Sequence, residues 1–294
     1  MNNNALQIVY FGTPDFSALL LERILDDHDV AINIATVVTQ PPKKVGRKQI
    51  LTPSPVEQLA NKRGIPVVYS HDELSLAYDL GLVFAYSKIL PDALLKQATH
   101  GYWNIHPSML PAYRGPSPVA WALVDGATST GCTLMQMDAQ MDHGPIIAQE
   151  QTYIFPQERR SELTGRLVKL GHKLLRSALI QLVEMSSVDT IAQDHAQATY
   201  SKLLRKQDGY VEKSIFSTTG IVSRALYDKW RAYDGWPGIW TMIDHHDKPL
   251  RVKITQMHIE EDQCRITHVQ LEGKNEVPFA QFRQAYPQAL DAEK

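Results

Sequence analysis

Three polar side chains in this sequence stand where ordinary structure has little use for them. In the stretch WNIHPSMLPAYRGPSP, Trp103 to Pro118, Asn104 and His106 lie two residues apart in a segment that begins as a strand and is stopped by Pro107. A strand alternates its side chains, so Trp103 and Ile105 face one way, toward a core, while Asn104 and His106 share the other face. The third is Asp142, in QMDHGP. An amide, an imidazole and a carboxylate are the parts of a site that moves protons or steadies an oxyanion. Each also has a plainer use: a buried Asn and His bonded to backbone, and an Asp closing a hairpin shortly before a glycine. The surroundings tip the reading toward a site. The carboxyl end of a strand is where open α/β sheets place ligands. The loop that follows is stiffened by Pro107, Pro111, Pro116 and Pro118, each fixing φ and lowering the entropy cost of holding a ligand.

A second candidate is TQPPKKVGRKQILTPSPVEQ, Thr39 to Gln58, a long basic loop carrying Lys43, Lys44, Arg47 and Lys48. It reads either as a solvated surface loop or as a phosphate-contacting one, since long loops in compact domains are often functional. YFGTPDF has one glycine where a dinucleotide fingerprint needs three, and no P-loop Gly-Lys-Ser/Thr occurs, so nucleotide cofactors lose ground. Trp230, Trp236 and Trp240 cluster in KWRAYDGWPGIWT and read as core or domain-interface anchors rather than as platforms for bases.

These candidates must be positioned by a chain of 294 residues with 30 basic and 32 acidic side chains, a net charge of −2. That balance advertises no global basic field, so any nucleic-acid contact must come from a local patch. Cys132 and Cys264 are far apart and sit in no metal-spaced cluster, so they read as reduced, buried thiols of a cytoplasmic protein, and no metal is expected. MNNNALQIVYFG lacks a basic segment followed by an apolar one, so no signal peptide is expected, and no run is long enough to cross a bilayer.

The first half alternates strand-like and helix-like segments. LQIVYFG, AINIATVVT, IPVVY, DLGLVFA and GYWNIH read as strands, and DFSALLLERILDD, SPVEQLANKRG, PDALLKQA and PVAWALVDG as helices, the second closed by Gly64. This alternation predicts an α/β fold with a mostly parallel, doubly wound sheet. GCTLMQMD and GPIIAQEQTYIF are close enough to form a hairpin, turning the sheet antiparallel or mixed. The longest helical pattern, Arg159 to Ser186, closes a first domain spanning 1–187. Residues 188–206, polar and weakly periodic, read as a linker. Residues 207–294 include the alternating segments PLRVKITQMHI and QCRITHVQLEG, an all-β signature for a small second domain such as a barrel.

The residues around Asn104 and Asp142 carry a family likeness. NIHPSMLPAYRGPSP resembles the Asn-x-His-x-Ser-Leu-Leu-Pro-x-x-Arg-Gly signature of the 10-formyltetrahydrofolate-dependent formyltransferases, and TLMQMDAQMDHGPII resembles the segment ending in that family's Asp. VYFGTPDFS, VVTQPPKKVGRKQILTPSPV, ATYSKLLRKQDGYV and DGWPGIWT resemble the branch of the family that acts on initiator methionyl-tRNA. The resemblance implies a Rossmann-like amino-terminal domain, an OB-fold-like carboxyl-terminal barrel that binds tRNA, and a cytoplasmic monomer without metal. It implies transfer of a formyl group from 10-formyltetrahydrofolate to the α-amine of methionine on initiator tRNA. Position by position, the catalytic set falls on Asn104, His106 and Asp142. Folate contacts fall on Ser108, Met109, Leu110 and Pro111, on Phe84, Ala85, Tyr86 and Leu90 of the loop Phe84 to Pro91, and on Asp138. Arg47, with Lys43, Lys44 and Lys48, falls on the insertion that meets the tRNA acceptor end. Met109 stands where a leucine is usual, and Lys48 where a glycine often follows the loop arginine.

Acyl transfer to an amine passes through a developing oxyanion, which the Asn104 amide and a His106 N–H are suited to meet. Asp142 either stabilises imidazolium or takes the proton through water, and the sequence leaves both open. Two rival enzymes are formyl transfer to an amino sugar nucleotide and hydrolysis of formyltetrahydrofolate. An RNA-binding module on the same fold would have no need of all three polar residues.

Overall fold

The computed structural model describes residues 5–46, 48–216, 219–245 and 248–287, with the side chain of His245 left out. The chain forms two compact units: Met1–Pro118 with Ser129–Thr152 and Thr164–Ser201, and Val119–Thr128 with Tyr153–Leu163 and Lys202–Lys294.

In chain order the first half runs β1 (Leu6–Gly12), α1 (Asp15–Leu25), β2 (Ile32–Val38), β3 (Lys43–Val45), β4 (Ile50–Thr52), α2 (Pro55–Arg63), β5 (Val67–Val68), β6 (Leu80–Phe84), α3 (Asp92–Leu95) and β7 (Tyr102–His106). After these come α4 (Pro118–Val124), β8 (Ser129–Gln136), β9 (Ile146–Tyr153) and α5 (Arg160–Met185). Seven strands form one sheet in the order β5-β2-β1-β6-β7-β8-β9. The pairings of β1 with β2 and β6, β2 with β5, and β6 with β7 are parallel, and β7 with β8 is antiparallel. This is the mostly parallel α/β sheet, turning mixed at β8, that the strand–helix alternation predicts.

The helix ends follow from local chemistry. Ser54 caps α2 by accepting the Glu57 N–H, Pro55 fills the first turn where no N–H is needed, and Gly64 closes it at φ +70. Alternation sorts β1 between two cores: Ile8 and Tyr10 pack with residues of α1, α2 and α5, and Val9 and Phe11 with Leu94, Leu95 and Tyr102. Trp103 and Ile105 of β7 join the first of these cores, and Tyr102 the second. The apolar half of the β7 pattern is therefore spent on core, as the spacing predicts. Cys132 and Cys264 are both free and buried.

The second unit carries α6 (Arg224–Ala232), β10 (Ile221–Val222), β11 (Ile239–His245), β12 (Lys248–Glu260), β13 (Gln263–Leu271), β14 (Glu276–Pro278) and α7 (Phe279–Ala285). Its five strands make an antiparallel sheet, β10-β13-β12-β11 with β14 on β13, the β-rich unit expected from the alternating segments. Trp230 is buried, and Trp240 is half-buried with its indole N–H donated to the Lys206 carbonyl at 3.1 Å. Trp236 is 51% exposed, so the anchoring role expected for all three does not extend to it.

Two expectations are corrected. Residues 39–58 are not a continuous loop: β3 and β4 pair as a hairpin in which Lys43 faces Thr52 and Val45 faces Ile50. A run of only three residues per strand is too short for alternation to declare itself. Residues 188–201 are not a free linker either. Ile191 bridges Ile146, Gln193 is buried, and Ser201 and Thr199 bond the backbone of Arg114. Their polar side chains meet backbone groups of other loops, a use that no sequence period records. Among the described residues, no helix is long and apolar enough to cross a membrane.

Gly131 of β8 sits where a Cβ would come within 2.4 Å of the Glu150 carbonyl oxygen and 2.2 Å of Met109 Sδ. The thioether can swing aside but the β9 backbone cannot. Gly131→Ala is expected to destabilise the protein by about 1–3 kcal/mol, read as a lower urea midpoint by circular dichroism.

Candidate active site

β7 delivers two of the three polar groups. Asn104 is half-buried and pairs in register with Val83 on one side and Met135 on the other. The His106 side chain is 5% exposed and that of Asp142 13% exposed. Asp142 arrives from the β8–β9 connection, in a left-handed backbone conformation at φ +49. The three heads meet. Asn104 Nδ2 donates to Asp142 Oδ1 at 3.2 Å, and His106 Nδ1 lies 3.6 Å from the same oxygen. The other carboxylate oxygen, Oδ2, accepts the Gly115 N–H at 2.7 Å.

The ring's protons follow from its partners. His106 Nε2 lies 2.9 Å from the Tyr113 carbonyl oxygen, which can only accept, so Nε2 carries hydrogen. Nδ1 is then the ring atom that gains or loses a proton, and it faces Asp142 Oδ1. At 3.6 Å the contact exceeds a hydrogen bond but lies within the range at which opposite charges attract. The arrangement brings an amide donor and an imidazole nitrogen from one face of β7 against a carboxylate from the β8–β9 connection.

The loop after β7 is held by a network that engages several of the residues expected to contact folate. Ser108 is fully buried, and its hydroxyl is donated to the Ala112 carbonyl at 2.6 Å. Thr133 donates to the Ser108 carbonyl at 2.7 Å and accepts the Leu110 N–H at 3.2 Å, while Gln149 Nε2 donates to both Thr133 Oγ1 and the Leu110 carbonyl. Leu110, Phe84 and Leu90 are buried as well. Ala85, at φ +54, Tyr86, Met109, Pro111 and Asp138 are the half-buried members of the expected set. The Tyr86 hydroxyl is buried without a hydrogen-bond partner among the described residues, and burial, then Asp72, raises its pKa. Asp138 accepts the Gln140 N–H at 2.9 Å and the His143 Nδ1–H at 2.6 Å.

Other supporting groups are not foreseen from the sequence. Gln193 Nε2 donates to the carbonyls of Asp142 and Gly144 at 3.0 and 2.7 Å, and its Oε1 accepts from Arg114 Nε and Nη2 at 3.2 and 2.7 Å. Arg114 Nη2 also donates to His195 Nδ1 at 2.8 Å, and the His195 ring stacks on that of His143 at 3.9 Å. Thr199 Oγ1 accepts the Tyr113 N–H at 2.8 Å. These partners lie 49 to 86 residues from the groups they hold. No local pattern of residue types marks them.

Lys43, Lys44 and Lys48 are exposed on the β3–β4 hairpin and its turn, while Arg47 lies outside the described residues. The same hairpin leaves Val45, Ile50 and Leu51 exposed, between 56% and 64%, a mixed apolar and basic surface. A separate cleft of about 440 Å³ in the second unit is lined by Arg159, Glu162, Trp230, Thr255, His258 and Glu276 among others, and none of the expected site residues borders it.

Residues 6–179 match the family model described as "Formyl transferase". A methionyl-tRNA formyltransferase of Chloroflexus aurantiacus is 38% identical over 256 residues, covering 84% of this chain and 79% of that protein. Its counterpart in Listeria innocua is 36% identical, covering 84% and 78%. Among solved structures, the N-formyltransferase of Helicobacter canadensis, crystallised with folinic acid and dTDP-3-aminofucose, superposes with a TM-score of 0.60 over 90% of this chain and 94% of that one, at 16% identity. The phosphoribosylglycinamide formyltransferase of Bacillus halodurans gives 0.52 over 62% and 97%, at 22% identity. At these identities the structures testify to a shared fold.

The Tyr113 carbonyl fixes the proton on His106 Nε2. Long-range ¹⁵N–¹H spectra at high pH are expected to show the neutral ring of His106 protonated at Nε2 and bare at Nδ1; the opposite tautomer would remove Nδ1 from acid–base work.

Proposed function

This chain belongs to the formyl transferase family, and from that membership we propose that it moves the formyl group of 10-formyltetrahydrofolate to the α-amine of methionine carried on initiator tRNA. The observation that carries the reading is the likeness to methionyl-tRNA formyltransferases, which extends over 84% of the chain and so well past the 6–179 match. The sugar-modifying structures share the fold at identities too low to bear on the amine acceptor.

10-Formyltetrahydrofolate, when bound, supplies a formyl carbon already activated on nitrogen. The half-buried Tyr86, with its orphaned hydroxyl, fits the polar edge of a pterin, and Ala85, Met109 and Pro111 would give it apolar walls. Asn104 has a second amide N–H beyond the one given to Asp142, and it is suited to the oxygen on which negative charge develops. His106 Nδ1 takes the proton that the attacking amine must lose, because Nε2–H is committed to Tyr113. Asp142 Oδ1, 3.6 Å away, stabilises the resulting imidazolium, and the same proton is then available to the departing nitrogen. The exposed lysines of the β3–β4 hairpin would meet the phosphates of the tRNA acceptor end, with Val45, Ile50 and Leu51 beside them.

Two experiments test this. With 10-formyltetrahydrofolate and methionyl-initiator tRNA, the wild-type protein is expected to yield formylmethionine. Asn104→Ala, His106→Ala and Asp142→Ala should each lose roughly 10²–10³-fold in kcat while melting near the wild type. Near-normal turnover by all three would discard the assignment. For the hairpin, Lys43→Ala with Lys44→Ala is expected to raise KM for tRNA and leave KM for folate unchanged. The salt dependence of tRNA binding should fall by roughly one in log–log slope per lysine; equal effects on both substrates would make the hairpin a structural element.

A further inference from the structure

We propose that Gln193 is a positioning residue for the reaction, holding Asp142 in the conformation that turns its carboxylate toward Asn104 and His106; this rests on the reading of those three as the reacting set. Gln193 is 6% exposed, in a segment where Ala192 and Asp194 on either side are exposed, so the chain inserts this one side chain inward. All four of its contacts agree on one orientation of the amide. The two Arg114 donors demand an acceptor at Oε1, and the two carbonyls of Asp142 and Gly144 demand a donor at Nε2.

The need for a clamp lies in the backbone it grips. Asp142 is a non-glycine residue at φ +49, a left-handed conformation that aspartate tolerates better than most L residues but that is still sparsely populated and gains from being held. Gln193 bonds the carbonyl of Asp142 itself and that of Gly144, and so fixes the peptide planes on the carboxyl side of this residue. Its anchor is doubly tied to the site. Arg114 is 2% exposed, its main chain bonds the Thr199 carbonyl and the Ser201 N–H, and the next residue, Gly115, donates to Asp142 Oδ2. One buried amide therefore joins the loop that presents the carboxylate to the loop that orients it. A shift of about 1 Å in such a group is enough to cost on the order of a hundredfold in rate.

Gln193→Glu separates positioning from folding. The carboxylate keeps an acceptor, now charged, for the buried Arg114, but it loses both donors and sets negative oxygen against two carbonyls. Wild type, Gln193→Glu, Gln193→Leu and His106→Ala are compared for kcat, for the KM values toward the formyl donor and toward methionyl-tRNA, and for melting temperature. The expected result is that Gln193→Glu melts within a few degrees of wild type, keeps both KM values within about threefold, and loses about 10- to 100-fold in kcat. Gln193→Leu, lacking both sets of bonds, should lose at least as much kcat and melt lower. A Gln193→Glu protein with kcat within twofold of wild type overturns the proposal, as does a kcat loss that tracks unfolding and disappears on cooling. If wild type does not formylate the tRNA, or His106→Ala keeps the wild-type rate, the reading of the reacting set fails instead.

Discussion

The Asp142 carboxylate is held on both oxygens, and the rest of the site depends on that restraint. Gly115 N–H takes Oδ2 at 2.7 Å, which leaves Oδ1 as the oxygen presented to Asn104 Nδ2 and His106 Nδ1. His106 is restrained in the same way, its Nε2–H given to the Tyr113 carbonyl at 2.9 Å so that the ring presents Nδ1 and cannot flip without losing the bond. Each of these two groups thus has one side tied to the backbone of a single loop, residues 113–115, and the other turned to a common centre. Dipoles fixed before substrate arrives need no reorganisation as charge develops, which is why such sites act as they do.

The sheet explains why these ties are necessary. β7 is parallel to β6 but antiparallel to β8, with Trp103 opposite Gln136 and His106 opposite Thr133. β8 therefore ends beside the beginning of β7, where the Met137 N–H bonds the Tyr102 carbonyl at 2.7 Å. The connection that carries Asp142 starts at the wrong end of the strand for meeting His106 and has to fold back. The left-handed turn at Asp142 and the short Asp138–His143 contact are the local means of doing so. The long-range means is the segment 193–201, which packs across both loops.

How much of this is legible in the sequence follows the reach of each signal. The alternation Trp103-Asn104-Ile105-His106 tells which pair enters the core and which is left for chemistry, because strand periodicity is a property of four consecutive residues. Ser54, Pro55 and Gly64 mark the ends of α2 for the same reason. The convergence of Asn104, His106 and Asp142 is reached by resemblance and not by spacing, and the structure brings Asn104 and His106 to 3.2 and 3.6 Å from one oxygen of Asp142. The support is invisible. Gln193, Thr199 and Ser201 lie in a polar stretch with no period, and polar side chains that satisfy distant backbone read the same as side chains that meet water. Ser108 and Leu110 illustrate the converse: a motif position marks where the chain passes the site, while burial decides whether the side chain is turned toward a ligand or into the loop itself.

The choice of a neutral residue at position 193 has an electrostatic logic. Arg114 is almost fully buried, and its guanidinium donates to the neutral amide oxygen of Gln193 and bonds His195 Nδ1. A carboxylate in place of the amide would neutralise the guanidinium more directly, but it has no hydrogen to give to the carbonyls of Asp142 and Gly144 and would set a second negative charge beside the Asp142 loop. The amide satisfies donors on one end and acceptors on the other with no charge of its own. The guanidinium then stays within the loop whose Gly115 N–H bonds Asp142 Oδ2. The amide thus serves a geometry in which the carboxylate of this region is that of Asp142, with Oδ1 turned to His106 Nδ1.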